Sequence, residues 1–160
     1  MQKYIGTKMI NAKPMTRQEY NDLRGWTVPA DENPDDAGYL VEYTDGGQAN
    51  HPDYAGYISW SPKAVFERAY NPNGSLTFGD ALVLLKQGKR ISRAGWNGKG
   101  MFVYMVLVDS YPAQTDADRD CFGEVVLYNP YMAIKNVDHT VSTWVPSVND
   151  ALAEDWMILD

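Results

Sequence analysis

Hydrophobic positions in the second half of the chain follow two rhythms. Phe78, Ala81, Leu82 and Leu85 recur at i, i+3, i+4 and i+7, the stripe of a helix with one face in a core. Thr77 and Asp80 stand where a capping box would satisfy the first free backbone donors, and Gly88 is placed to end the helix, which is predicted over 78–87. Apolar runs bounded by turn residues then replace the stripe, predicting strands over 89–94, 101–108, 124–128, 131–137, 140–144 and 156–159. Asp138-His139 reads as a turn, and Ser147 with Asp150 as a capping box for one short helical turn. Residues 109–123 are polar and receive no element.

The first half is patterned less densely. Thr16 and Glu19 form a capping box that opens a short helix through Leu23. Strands are predicted over 39–43 and 56–60, with Asp45-Gly46-Gly47 as a turn and 31–38 as an acidic loop. Ser61 as cap and Pro62 as first helical residue predict a helix over 62–70, with Val65, Phe66 and Ala69 on one face. Between the halves lies the turn cluster NPNGS, so two small modules are expected, 1–74 and 75–160. The fold class is α+β, a mostly antiparallel sheet with short helices.

Composition narrows the function classes. The 160 residues are 44% hydrophobic, too apolar for a disordered chain, yet no apolar run approaches the ~20 residues of a membrane span. The opening residues lack the apolar stretch of a signal peptide, and the single Cys121 excludes an intrachain disulfide or a Cys-based zinc site. A buried or inert thiol in an intracellular protein is expected. The formal charge of −7 argues against sequence-independent nucleic-acid binding, which needs cations for phosphates. That average hides a segment, 81–108, with five cations and no acid. Lys86, Lys89 and Arg90 can be read as complementing the carbonyl end of the helix, but Arg93 and Lys99 lie beyond its reach.

Those two flank the loop Gly95-Trp96-Asn97-Gly98-Lys99-Gly100. Glycines let backbone donors approach a ligand, an indole can stack on a base, and an Asn amide offers both a donor and an acceptor. The competing reading is a Gly-rich hairpin with Trp96 folded into a core edge. A second candidate region, Trp144 to Trp156, contains Ser147, Asn149 and Asp150. Ser147 and Asp150 either cap a helix or face an anion, Asn149 has no capping duty, and Trp144 and Trp156 are core residues or ligand platforms. His51, in an Asn-His-Pro loop, and His139, in a turn, belong to no nucleophile or metal motif. No catalytic residue, metal or cofactor is expected.

Phe78-Gly79-Asp80-Ala81-Leu82, Gly88-Lys89, Arg93-Ala94-Gly95-Trp96-Asn97-Gly98-Lys99-Gly100-Met101-Phe102, the Tyr131-Met132 strand, Trp144-Val145-Pro146-Ser147 and the run from Asp150 to Trp156 together resemble the phage Thoeris anti-defense family, second type. The resemblance covers 75–160. It implies a non-catalytic sponge that binds the cyclic ADP-ribose-type signal of a bacterial TIR enzyme, in the cytoplasm of the infected bacterial host, so that the Thoeris effector stays off. It further implies a homotetramer with nucleotide pockets between subunits, and cyclic dinucleotides as further ligands at separate sites. Trp96 and Asn97 match the loop expected near base and ribose, and Ser147 and Asp150 match the polar pair after Trp144. Asn149 stands where a Thr is common, and His139-Thr140 replaces a Gly-containing turn. With Arg93, Lys99 and Trp144 these form the expected ligand-binding set. A nucleotide-cleaving enzyme using Asp150, Asp155 or His139, and a phage interaction or structural module without nucleotide, are the alternatives. Residues 1–74 lie outside the family core and look like an accessory module of phage proteins.

Overall fold

A computed structural model of the chain describes residues 1–159, arranged as two compact units, Met1–Asn71 and Pro72–Asp160. Both are α+β, with every strand pair antiparallel.

The first unit is a three-stranded sheet in the order β1 (Ile10–Thr16), β2 (Ala37–Tyr43), β3 (Tyr57–Pro62), with α1 (Arg17–Arg24) and α2 (Lys63–Ala69). The Thr16–Glu19 capping box opens α1 directly from the end of β1, and Gly25 closes it in the left-handed conformation that glycine adopts without steric cost. Tyr20, Leu40 and Ile58 form the core, with Trp60 packed against it. Asn50 acts as a surrogate strand neighbour for β3: its amide accepts from Ile58 N at 2.8 Å and donates to Ile58 O at 2.9 Å. His51 is likewise structural. Its Nδ1 accepts from Asp53 N at 3.2 Å, which leaves Nε2 to donate to Leu23 O at 3.2 Å.

Three sequence expectations are corrected here. Residues 10–16 form a strand that the pattern did not announce. Ser61 is no cap, because β3 runs through Ser61 and Pro62, and α2 starts at Lys63 without a side-chain cap. The expected apolar face of α2 is shallow: only Phe66 is half-buried, stacked on Tyr39 with ring centroids 4.1 Å apart, and Val65 is exposed.

The second unit is built on a five-stranded sheet in the order β10 (Trp156–Leu159), β4 (Arg90–Arg93), β5 (Phe102–Val106), β8 (Tyr131–Lys135), β9 (Val141–Thr143), with α3 (Phe78–Lys86) packed on β10, β4 and β5. Directly paired residues of antiparallel strands project to the same face, so the register lines up Ile158, Ile91, Val103 and Ile134 in one row. That row meets Ala81, Leu84 and Leu85 of α3; Leu84 takes the buried place expected of Leu82, which is only half-buried. Leu76 ties the segment before α3 to the sheet by a two-way backbone bridge with Trp156, at 3.0 and 3.1 Å.

The polar stretch after β5 is structured. Asp109–Pro112 (β6) pairs with Val125–Tyr128 (β7), and between them Thr115 and Asp118 form a capping box for α4 (Asp116–Phe122). Cys121, expected to be buried or inert, is exposed on α4. Among the described residues no helix is long and apolar enough to cross a membrane.

Candidate functional site

Register brings the two candidate regions together. Trp156 on β10 pairs with Arg93 at the end of β4, which sets the Gly-rich loop after β4 against the segment before β10. Arg93 spans both carboxylates of that segment: Nε donates to Asp155 Oδ1 at 2.7 Å and Nη1 to Asp150 Oδ1 at 2.8 Å. Asp155 also accepts from Gly95 N at 2.7 Å, and its backbone carbonyl accepts from Ala94 N at 3.1 Å. Asp150 accepts from Trp96 Nε1 at 3.2 Å and from Ser147 Oγ at 2.7 Å, while its carbonyl accepts from Trp156 Nε1 at 3.0 Å. Each carboxylate thus has several donors, the arrangement that satisfies a half-buried charge.

Behind this polar layer lies an aromatic one. Trp96, Trp144 and Trp156 meet edge to face, with centroids 5.5–6.2 Å apart and interplanar angles of 68–79°. Phe78 from α3 closes the cluster against Trp144 and Trp156. Trp156 is fully buried, whereas Trp96 and Trp144 are half-buried at its rim. The loop is therefore latched to the domain by one charged network and one ring cluster.

The electrostatics follow from these contacts. Its hydrogen bonds to Asp155 and Asp150 hold the Arg93 guanidinium above its ordinary range. Burial pulls the Asp150 carboxyl up, but the bonds from Ser147, Arg93 and Trp96 outweigh it and leave it below the ordinary carboxylate range. For Asp155 the Arg93 bond is the main cause of a downward displacement, opposed by burial and reinforced by Gly95 N.

The ligand-binding set expected from the sequence divides accordingly. Arg93, Trp96, Ser147 and Asp150 are joined in the network, and Trp144 packs on Trp96. Arg93 is not an unpaired cation, since two carboxylates neutralise it. Ser147 and Asp150 do form the capping box, but α5 (Val148–Ala151) is a single turn whose first donors they occupy. Asn97, Lys99 and Asn149 are exposed and outside the network.

Two residues outside the expected ligand-binding set belong beside the loop: Asp155, named above only for the cleaving alternative and signalled by its DW run with Trp156, and Lys135. Lys135 Nζ donates to Gly100 O at 3.1 Å and so adds a second cation beside the loop. Among the described residues no group of His, Cys, Asp and Glu is placed to hold a metal.

The loop tolerates little added volume at Gly98, where a Cβ would fall on Met101 Sδ and lie 2.6 Å from Val137 Cγ2. Gly98→Ala is expected to destabilise the unit by about 1–3 kcal/mol, the usual cost of overpacking. Thermal unfolding checks this; an unchanged midpoint would mean that the loop repacks freely.

Fold and site together define a small antiparallel α+β domain with a Gly-rich loop latched to its closing strand. Residues 76–159 match the model of the Thoeris anti-defense 2-like domain. Thoeris anti-defense 2 of Bacillus phage SP01 is 39% identical over 87 residues, which cover 52% of this chain and 94% of that protein. The chain belongs to the Thoeris anti-defense 2-like family, and its role is that of a phage Thoeris anti-defense protein.

Proposed function

We propose that the second unit acts as a sponge: it binds glycocyclic ADP-ribose, a cyclic ADP-ribose-type signal made by a TIR enzyme, and withholds it from the Thoeris effector without cleaving it. The observation that carries this reading is the latch, which holds the 95–100 loop by contacts within the chain while leaving Asn97 and Lys99 exposed on it. A site organised in advance loses less ordering entropy on binding. The exposed amides of Asn97 and Asn149 suit base edges and riboses, and Lys99 with Lys135 suits the pyrophosphate. Trp96 and Trp144 contribute as the wall behind these groups.

The same network argues against cleavage. Asp150 is held ionised by Ser147 and Arg93, and Asp155 by Arg93, whereas a general acid at neutral pH needs a raised pKa. His51 is occupied by backbone partners in the first unit, and His139 is exposed in a left-handed turn conformation. Catalysis by Asp150 would first have to break the latch.

Holding a signal at ~10 nM takes about −11 kcal/mol, more than an open loop supplies, so enclosure between copies is part of the proposal. Leu107, Val125, Leu127 and Phe122, exposed on and beside the β6–β7 ribbon and α4, offer the apolar surface for a homotetramer. Cyclic dinucleotides at separate sites are a second ligand class for the same assembly. The setting is the cytoplasm of the infected bacterial host, where the signal arises, with residues 1–74 as an accessory module.

Thermal shift with glycocyclic ADP-ribose tests binding: a ligand at 1,000 times its Kd stabilises by about 4 kcal/mol. A flat response would favour an interaction module without nucleotide. Leu127→Glu is expected to reduce the mass measured by light scattering; an undiminished mass would remove this surface from the interface.

A further inference from the structure

The first unit holds a cavity of about 530 Å³ whose lining includes Arg17, Arg24, Trp26, Tyr57 and Trp60. Arg17 and Arg24 sit seven residues apart on α1, hence on one face of the helix. Each guanidinium lies over an indole, Arg17 Cζ at 4.3 Å from the Trp60 ring centroid and Arg24 Cζ at 4.4 Å from that of Trp26. Stacking fixes the plane of each fork and leaves its edge for an acceptor.

The two cations differ in their partners. Arg17 pairs with Glu32 and faces Asp36 at 3.6 Å, so its charge is compensated. Arg24 has no carboxylate within ion-pair distance among the described residues; the Tyr20 hydroxyl is a partner of its guanidinium, while its Nη1 is buried without a hydrogen-bond partner. Arg17 Nε is buried without a hydrogen bond as well. Buried polar groups are otherwise almost always satisfied, and an orphaned charged donor is the most costly kind to leave so. Trp26 and Tyr57, both about half exposed, give the same cavity flat apolar walls.

We propose that this cavity is a binding site for a small molecule carrying an oxyanion, a phosphate or a carboxylate, which Arg24 holds while a ring attached to it lies against Trp26 and Tyr57. Planar bidentate recognition of such groups is what a stacked guanidinium does well. The site lies within the first unit and does not rest on the function proposed for the second.

The full chain is titrated with phenyl phosphate, benzoate and benzyl alcohol, three probes with one ring and different head groups. The readouts are the indole N–H resonance of Trp26 and the guanidinium resonance of Arg24. Saturable shifts are expected from phenyl phosphate or benzoate at up to about 10 mM, and not from benzyl alcohol. The tighter of the two names the oxyanion. Arg24→Gln is expected to weaken binding by roughly tenfold to a hundredfold, and Arg24→Lys less, since it keeps the charge and loses the fork. If Arg24→Gln does not fold, protection of Arg24 in the parent chain from phenylglyoxal by the same probes decides the matter. No saturable shift from either oxyanion, equal binding of benzyl alcohol, or parent-like affinity in Arg24→Gln would each overturn the proposal.

Discussion

Arg93→Ala lowers the stability of the second unit by roughly 3 kcal/mol, because it strands two half-buried carboxylates whose main cationic partner it removes. At about 4–8 °C of melting temperature per kcal/mol in a unit of this size, the loss exceeds 10 °C. Amide exchange at Ile91, Val103 and Trp156, in the core of that unit, measures it directly. Protection equal to the parent would show that the charged network is ornamental and that the ring cluster alone holds the loop. The effect has a pH signature. Asp150 and Asp155 both titrate lower in the folded chain than in the unfolded one. Their stabilising contribution is therefore complete above the ordinary carboxylate range, about pH 4, and is lost as pH falls through the depressed values. The parent chain shows an acid limb of destabilisation below about pH 4, and Arg93→Ala makes it shallower, chiefly through Asp155, because Ser147 still holds Asp150 down.

Asn97→Ala separates binding from folding. The side chain is exposed and outside the network, so its removal changes stability by less than about 0.5 kcal/mol. If its amide contacts the nucleotide, affinity falls roughly tenfold, the cost of one or two hydrogen bonds to a ligand. Isothermal titration with glycocyclic ADP-ribose checks this, and parent-like affinity would remove Asn97 from the pocket. Trp96→Ala reports less cleanly, because Trp96 packs on Trp144 and Trp156 and donates to Asp150. Its truncation costs about 2 kcal/mol of stability and misplaces the loop at the same time.

What the sequence disclosed depended on how local the cause was. The capping boxes at Thr16, Thr77 and Ser147 are legible because cap and partner are three residues apart, and the structure contains all three. The box at Thr115 has the same spacing but does not stand out, because the surrounding segment is polar and exposed, without an apolar stripe to confirm a helix. Strand β1 is hidden for a related reason. It is an edge strand, mostly solvent-facing and interrupted by Pro14, so no alternation marks it. At the site, the residues of the Gly-rich loop and the Trp144–Trp156 run were visible, but their relation was not. Arg93 and Asp155 are 62 residues apart and meet only through the β4–β10 register. That register places Arg93 at the centre of a neutralised latch and leaves Asn97, Lys99 and Asn149 exposed outside it, which with Lys135 are the ligand contacts proposed above.

The central claim is sequestration without chemistry, and the fate of the bound molecule tests it most directly. The chain is incubated with glycocyclic ADP-ribose, separated from free nucleotide, denatured by heat, and the released material is weighed by mass spectrometry. The account predicts depletion of the signal from solution and its return at unchanged mass, in stoichiometric amount. Release of a species heavier by one water, or turnover beyond the number of sites, would contradict it.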